Sequence, residues 1–287
     1  MNKNQKGDKN DHIWRALFPV VLYILISLMV EMLIGICFLI KSTHGNTNQS
    51  EEKDYFHSFS QTLNHVETQY GYFITFLSAF IAAFVFYFIF KEECKKNDGF
   101  SHAYHLKQMK RRNLVKVILL GGTAGPGLSR LLSLIRIKSI LEDYEKVSST
   151  LLNGPVILQI ISLTIIVPVT EELIYRGVVY LRLRKELGRK TGMVITSLVF
   201  GLFHFNLLQG MYAFLLSFLL LFVFEKYRTI IACILLHGTA NMIAVVSRTF
   251  ALFDIANKNM VVYLVFMIVE LITAAALLLS FRDEKNI

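Results

Sequence analysis

Charge is what this sequence has least of. Only 18% of its 287 residues are Asp, Glu, Lys or Arg, against about 25% in a soluble globular domain. Hydrophobic residues make up 54%, and the mean hydropathy is +0.50. That balance excludes a soluble enzyme and a disordered chain. Cysteine is scarce too. Cys37, Cys94 and Cys233 show no pairing pattern, two in apolar runs and one in a basic loop, so neither a disulfide scaffold nor a cysteine metal site is expected. No internal repeat or low-complexity tract is evident.

What is present is a series of long apolar runs, near 16–40, 71–90, 116–135, 156–181, 191–208, 211–225, 229–247 and 260–281. Runs of about 20 apolar residues cross a bilayer, and in lipid a helix satisfies its own backbone. The expected fold is all-α: a polytopic membrane protein of about eight transmembrane helices. The third run is the least secure, because Gly121, Gly122, Gly125, Pro126, Gly127 and Arg130 interrupt it. The first is too long for a signal-peptide core and reads as a retained helix. As one integral unit, the chain divides into N-terminal helices and loops (1–150), a core (151–250) and a last helix with its tail (251–287).

Basic residues collect on one side: Lys3, Lys6, Lys9 and Arg15, the stretch 91–116, then Arg182, Arg184, Lys185, Arg189 and Lys190, and finally Lys226, Arg228, Arg282 and Lys285. The other side has Lys41, Lys53, Arg136, Lys138, Lys146, Arg248 and Lys258, mixed with Glu51, Glu52, Asp54 and Glu67. This asymmetry predicts cytoplasmic termini. The formal charge of +9 then points to anionic lipid headgroups rather than nucleic acid. The polar stretch 41–69 is the main expected loop on the far side.

Charges inside apolar runs are the informative ones, since each costs roughly 3 kcal/mol or more at mid-bilayer. In Pro168-Val-Thr-Glu171-Glu172-Leu-Ile-Tyr-Arg176, the spacing puts Glu172 and Arg176 on one helical face as a pair. Glu171 points about 100° away and is left for something else. Pro168 and Thr170 predict a break in the span, with Thr170 as N-cap and a fresh helix start favouring a charged Glu171. Phe200-Gly-Leu-Phe-His204 places an imidazole in another run, and His237-Gly-Thr-Ala-Asn241 puts a second imidazole and an amide on one face. Structural pairs between helices account equally well for Glu172 with Arg176 and for His237 with Asn241. Glu31, Glu270 and Arg130 are single charges with no motif and read as structural.

Depth joins the first three motifs. At about 1.5 Å per residue, Glu171 lies ~16 Å from the basic end, His204 ~21 Å, His237 ~13 Å and Asn241 ~19 Å. A carboxylate, two imidazoles and an amide in one layer can hydrolyse an amide bond. Glu171 takes a proton from water, the histidines hold that water, and Asn241 donates toward the oxyanion. Zn²⁺ held by His204 and His237 with Glu171 is one way to hold the water; the histidines alone, without metal, are the other. Other hydrolytic patterns are missing: no H-E-x-x-H, no G-x-S-x-G-type serine and no mid-membrane aspartate pair. Asp8, Asp11, Asp54, Asp98, Asp143, Asp254 and Asp283 all fall in loops or near ends.

In this order on successive apolar runs, Glu171-Glu172-x-x-x-Arg176, Phe200-x-x-x-His204 and His237-x-x-x-Asn241 resemble the CPBP family. Its members include type II CAAX prenyl endopeptidases and the bacterial Abi or bacteriocin-processing membrane proteins. The resemblance spans about Val156 to Val246, and no position of the pattern departs. It implies an intramembrane endopeptidase acting on a membrane-associated peptide or lipidated protein tail. Glu171 would be the general base, Glu172 its companion, and Arg176 and Phe200 supporting residues. His204, His237 and Asn241 would hold the water or a metal. The Lys- and Asn-rich termini lean toward a bacterial cell membrane. A non-catalytic immunity-type scaffold is the alternative; a proton-coupled transporter, which would need a symmetry partner for the Pro168 segment, is a more distant one.

Overall fold

The computed structural model describes residues 3–45, 55–97, 99–105, 109–135, 143, 145, 148–150, 152, 154–250 and 258–282. Glu51, Glu52, Lys53, Asp54, Asp98, Arg136, Lys138, Lys146, Asp254, Asp283 and Lys285 lie outside them.

Eight long helices carry the described chain: α1 (Lys3–Gly45), α2 (Tyr55–Lys96), α3 (Arg111–Ser133), α4 (Val156–Leu187), α5 (Arg189–Leu202), α6 (Leu207–Tyr227), α7 (Ile230–Thr249) and α8 (Met260–Arg282). No strand occurs among the described residues. The fold is all-α and polytopic. Every expected apolar run falls on a helix, yet only six are long and apolar enough to cross a membrane: α1, α2, α4, α6, α7 and α8. α3 and α5 are not among the six. α3 carries Arg111, Arg112, Lys116 and Arg130 within its length. α5 has only 14 residues, about 21 Å against a hydrocarbon core of about 30 Å.

The boundaries correct two expectations. Much of the expected loop 41–69 is helical, since α1 runs to Gly45 and α2 begins at Tyr55. The fifth run does not reach residue 208: α5 stops at Leu202, and Asn206 caps α6 by accepting the Gln209 N–H at 3.1 Å. Gly201 and Gly210 let the two helices touch. A Cβ on either would sit 2.7–2.8 Å from the other's carbonyl oxygen.

α4 is continuous from Val156 to Leu187, so the break expected at Pro168 does not occur. The helix instead widens into π geometry over Ser162–Ile166 and again over Leu173–Tyr180, which accommodates the missing proline N–H without ending the helix. Thr170 is not a cap. Its hydroxyl lies 2.8 Å from the carbonyl oxygens of Ile166 and of Ala79 on α2. No new helix N-terminus faces Glu171.

α4, α6 and α7 hold the centre of the bundle, with α2 and α5 against α4, α3 against α7, α8 outside α3, and α1 beside α2. Fully buried side chains such as Phe86, Phe90, Ile174, Leu181, Phe200, Leu220 and Leu236 fill this core. The outer helices turn bulky apolar residues outward, among them Leu33, Phe84, Val261 and Ile272. Such a surface suits acyl chains.

Candidate active site

Arg176 lies at the centre of the polar interior and is fully buried, as is Glu172. A guanidinium keeps its proton, so at this depth it requires a carboxylate and further acceptors. Arg176 Nη1 donates to Glu172 Oε1 at 2.9 Å, and Nη2 donates to Ser217 Oγ on α6 at 2.8 Å. Its guanidinium carbon stands 4.5 Å from the Phe200 ring centroid, a cation–π contact. The pair expected from the i,i+4 spacing is therefore present and ties α4 to α5 and α6.

The same Glu172 oxygen reaches α7. His237 Nδ1 lies 2.8 Å from Glu172 Oε1. A carboxylate oxygen already engaged by Arg176 accepts, so Nδ1 is the donor nitrogen, and in the neutral ring Nε2 bears the lone pair. That nitrogen faces Glu171 Oε2 at 3.6 Å. Glu171 keeps 15% of its side chain exposed, against 0% for Glu172. Adjacent residues thus have different tasks: Glu172 orients the imidazole, while Glu171 is the carboxylate left open.

Phe200 gathers the rest. Its ring meets Tyr175 at 4.8 Å, His204 at 4.8 Å and His237 at 6.0 Å, each edge to face. His204 is in the turn after α5 rather than within a helix. Its Nδ1 donates to the Phe200 carbonyl at 2.7 Å, which leaves Nε2 as the acceptor nitrogen of the neutral ring. The next residue, Phe205, has φ +52° and is 82% exposed. A non-glycine residue in that region costs about 1–2 kcal/mol, and such strain concentrates at functional sites. Asn241, one turn beyond His237, donates Nδ2 to the Leu163 carbonyl of α4 at 2.9 Å. It also lines a cavity of about 460 Å³ between α3, α6 and α7, with Gly125, Gln209, Tyr212 and Ala240. Glu171, His204 and His237 are not in that lining.

The contacts therefore connect Glu171, Glu172, Arg176, Phe200, His204 and His237 into one group, with Asn241 at its edge through Leu163. Among the described residues, no three His, Cys, Asp or Glu side chains stand together as a metal site. Glu171 and His237 offer two donors facing each other, while His204 keeps its Nε2 lone pair with Nδ1 held by the Phe200 carbonyl. The donor set as placed does not fit a three-ligand zinc centre. Ser217 and Tyr175 join the group unforeseen. Ser217 had a signal, being the lone hydroxyl in the apolar run from Phe214 to Phe224. Tyr175 had none beyond its place in the motif. Arg130 and Glu270 prove to be partners, at 3.0 Å between α3 and α8.

A run of residues that holds every member of this group is what comparison with known families picks out. Residues 153–243 match the family model of the type II CAAX prenyl endopeptidases, described as Rce1-like. The family is one of intramembrane endopeptidases, and the match supports that general class of activity for this integral membrane chain. No curated protein and no solved structure matches the sequence.

Proposed function

We propose that the protein hydrolyses a peptide bond of a membrane-associated peptide or lipidated protein tail, with Glu171 as general base. The observation that carries this reading is the His237 imidazole, fixed by Glu172 at 2.8 Å and facing Glu171 at 3.6 Å. Both the Nε2 lone pair and the Glu171 carboxylate accept hydrogen bonds. A water bridging them donates one hydrogen bond to each and turns an oxygen lone pair toward a substrate carbonyl. Glu171 removes a proton as the C–O bond forms, a role worth roughly 10²–10⁴-fold in rate. The second Asn241 N–H donates to the oxyanion, and His204 Nε2 completes the water's surroundings. Collapse of the tetrahedral species breaks the C–N bond, and Glu171 passes its proton to the leaving amine. The family match favours this reading over a non-catalytic scaffold.

On the same reading, the basic end of the bundle is cytoplasmic and the membrane is a bacterial cell membrane. The test compares membrane peptides, by mass spectrometry, from cells carrying the intact protein or Glu171→Gln. A peptide cleaved only by the intact protein identifies the substrate and the bond. Identical profiles with an identical phenotype would show that the chain acts without hydrolysis.

A further inference from the structure

The end of the bundle that gathers the basic loops contains a second charge cluster that peptide hydrolysis leaves unused. Glu225, whose side chain is 1% exposed, ends α6 there. Its Oε1 accepts Tyr180 Oη at 2.6 Å and Arg184 Nε at 2.7 Å. Its Oε2 stands 3.0 Å from Arg228 Nη2 and 3.5 Å from Arg189 Nε. Three guanidinium groups thus converge on one carboxylate. Within the two segments that carry these arginines, the sequence does not restore the balance. Segments 181–190 and 225–228 add Arg182, Lys185, Lys190 and Lys226, with Glu186 the one further acid. Arg182 is itself turned to Glu93 at 2.8 Å.

The positive surplus is held in place rather than dispersed. Arg184 and Arg228 both stand over the Phe100 ring, at 5.2 Å and 4.2 Å. Burial lowers the Arg228 pKa, Glu225 raises it, and Arg184 and Arg189 lower it again, with a net downward shift. The cations therefore repel one another even with Glu225 among them. Arg228 also ends α6 in the left-handed region, with φ +51°, where glycine or asparagine is usual. An arginine kept in that conformation indicates a function for its side chain at that point.

We propose that Arg184, Arg189 and Arg228 form a binding site for the phosphate of an anionic phospholipid headgroup. The cluster lies at the ends of two helices long and apolar enough to cross a membrane. The side chains are 26%, 57% and 32% exposed, so Glu225 aligns them without covering them. Guanidinium forks match phosphate oxygens two at a time, and the anion neutralises the surplus. Anionic lipids are concentrated in the cytoplasmic leaflet, the side to which basic loops turn.

Full-length protein in a neutral detergent, titrated with phosphatidylglycerol or phosphatidylcholine and read by native mass spectrometry, tests this. Binding should favour phosphatidylglycerol. Arg189→Gln, at an exposed position, and Arg228→Gly, which also relieves the left-handed backbone, should each weaken it roughly fivefold. Lys185→Gln, exposed on the same helix end, should leave it unchanged, and a thermal melt confirms that each variant folds. Equal weakening by all three variants would overturn the site in favour of a diffuse basic surface, and no weakening by any would overturn it outright. Displacement of the lipid by inorganic phosphate at matched concentration would overturn the lipid assignment and make soluble phosphate the ligand. Peptide cleavage is not measured, so failure here leaves the hydrolytic reading untouched.

Discussion

α4, α5 and α6 frame two arginine–glutamate sites that differ in charge balance. Around Arg176, one guanidinium meets one carboxylate, a hydroxyl and an aromatic face, all of them buried. Around Glu225, three partly exposed guanidiniums share one carboxylate. Depth explains the contrast. In hydrocarbon, an unmatched charge costs several kcal/mol and must be paired one to one. At the interface, water and headgroups screen the surplus, so evenness is unnecessary and excess charge becomes useful for binding. On the proposed reading, α4, α5 and α6 supply both a support for hydrolysis within the bundle and an anion-attracting rim at its end.

That contrast fails if the two clusters respond alike to loss of one arginine. Arg176→Met leaves Glu172 buried without its cation, and about 3–5 kcal/mol of stability should be lost. Chemical unfolding in detergent measures this, and adding Glu172→Gln to Arg176→Met should restore most of it. A packing change at the α5–α6 contact comes next. Gly201→Ala drives a Cβ against the Gly210 carbonyl oxygen at 2.8 Å and should cost about 1–3 kcal/mol in the same assay. Arg189→Gln, in the exposed cluster, should alter stability by less than about 1 kcal/mol. Treatment with a strong metal chelator should leave peptide cleavage unchanged, because no three ligating side chains stand together among the described residues. Activity lost on chelation and regained with zinc would instead bring His204 Nε2 in as a third ligand beside Glu171 and His237, its Nδ1–H still on the Phe200 carbonyl.

Spacing made the chemistry of the interior legible and left its geometry obscure. Glu172 with Arg176 and His237 with Asn241 sit four apart, so shared faces followed directly from helical periodicity. The convergence of Glu171 and His237 followed from depth. Periodicity could not anticipate that α4 would absorb Pro168 by widening into π turns, nor that Thr170 would bond across to Ala79 of α2 instead of capping a helix. Nor could it separate His204 from the helix before it, since an apolar run continues through the turn that Asn206 ends. Glu225 was hidden for the opposite reason. It lies at a helix end among basic residues, where a lone acid looks ordinary until three arginines are seen to share it.

The central claim is that Glu171 activates water while Glu172 and Arg176 only hold the site in shape. The most direct measurement is the single-turnover cleavage rate of purified Glu171→Gln in proteoliposomes, paired with its unfolding midpoint. The prediction is a fall of about 10²–10⁴-fold in rate with an unchanged midpoint. Cleavage at the intact protein's rate by a fully folded Glu171→Gln would contradict it.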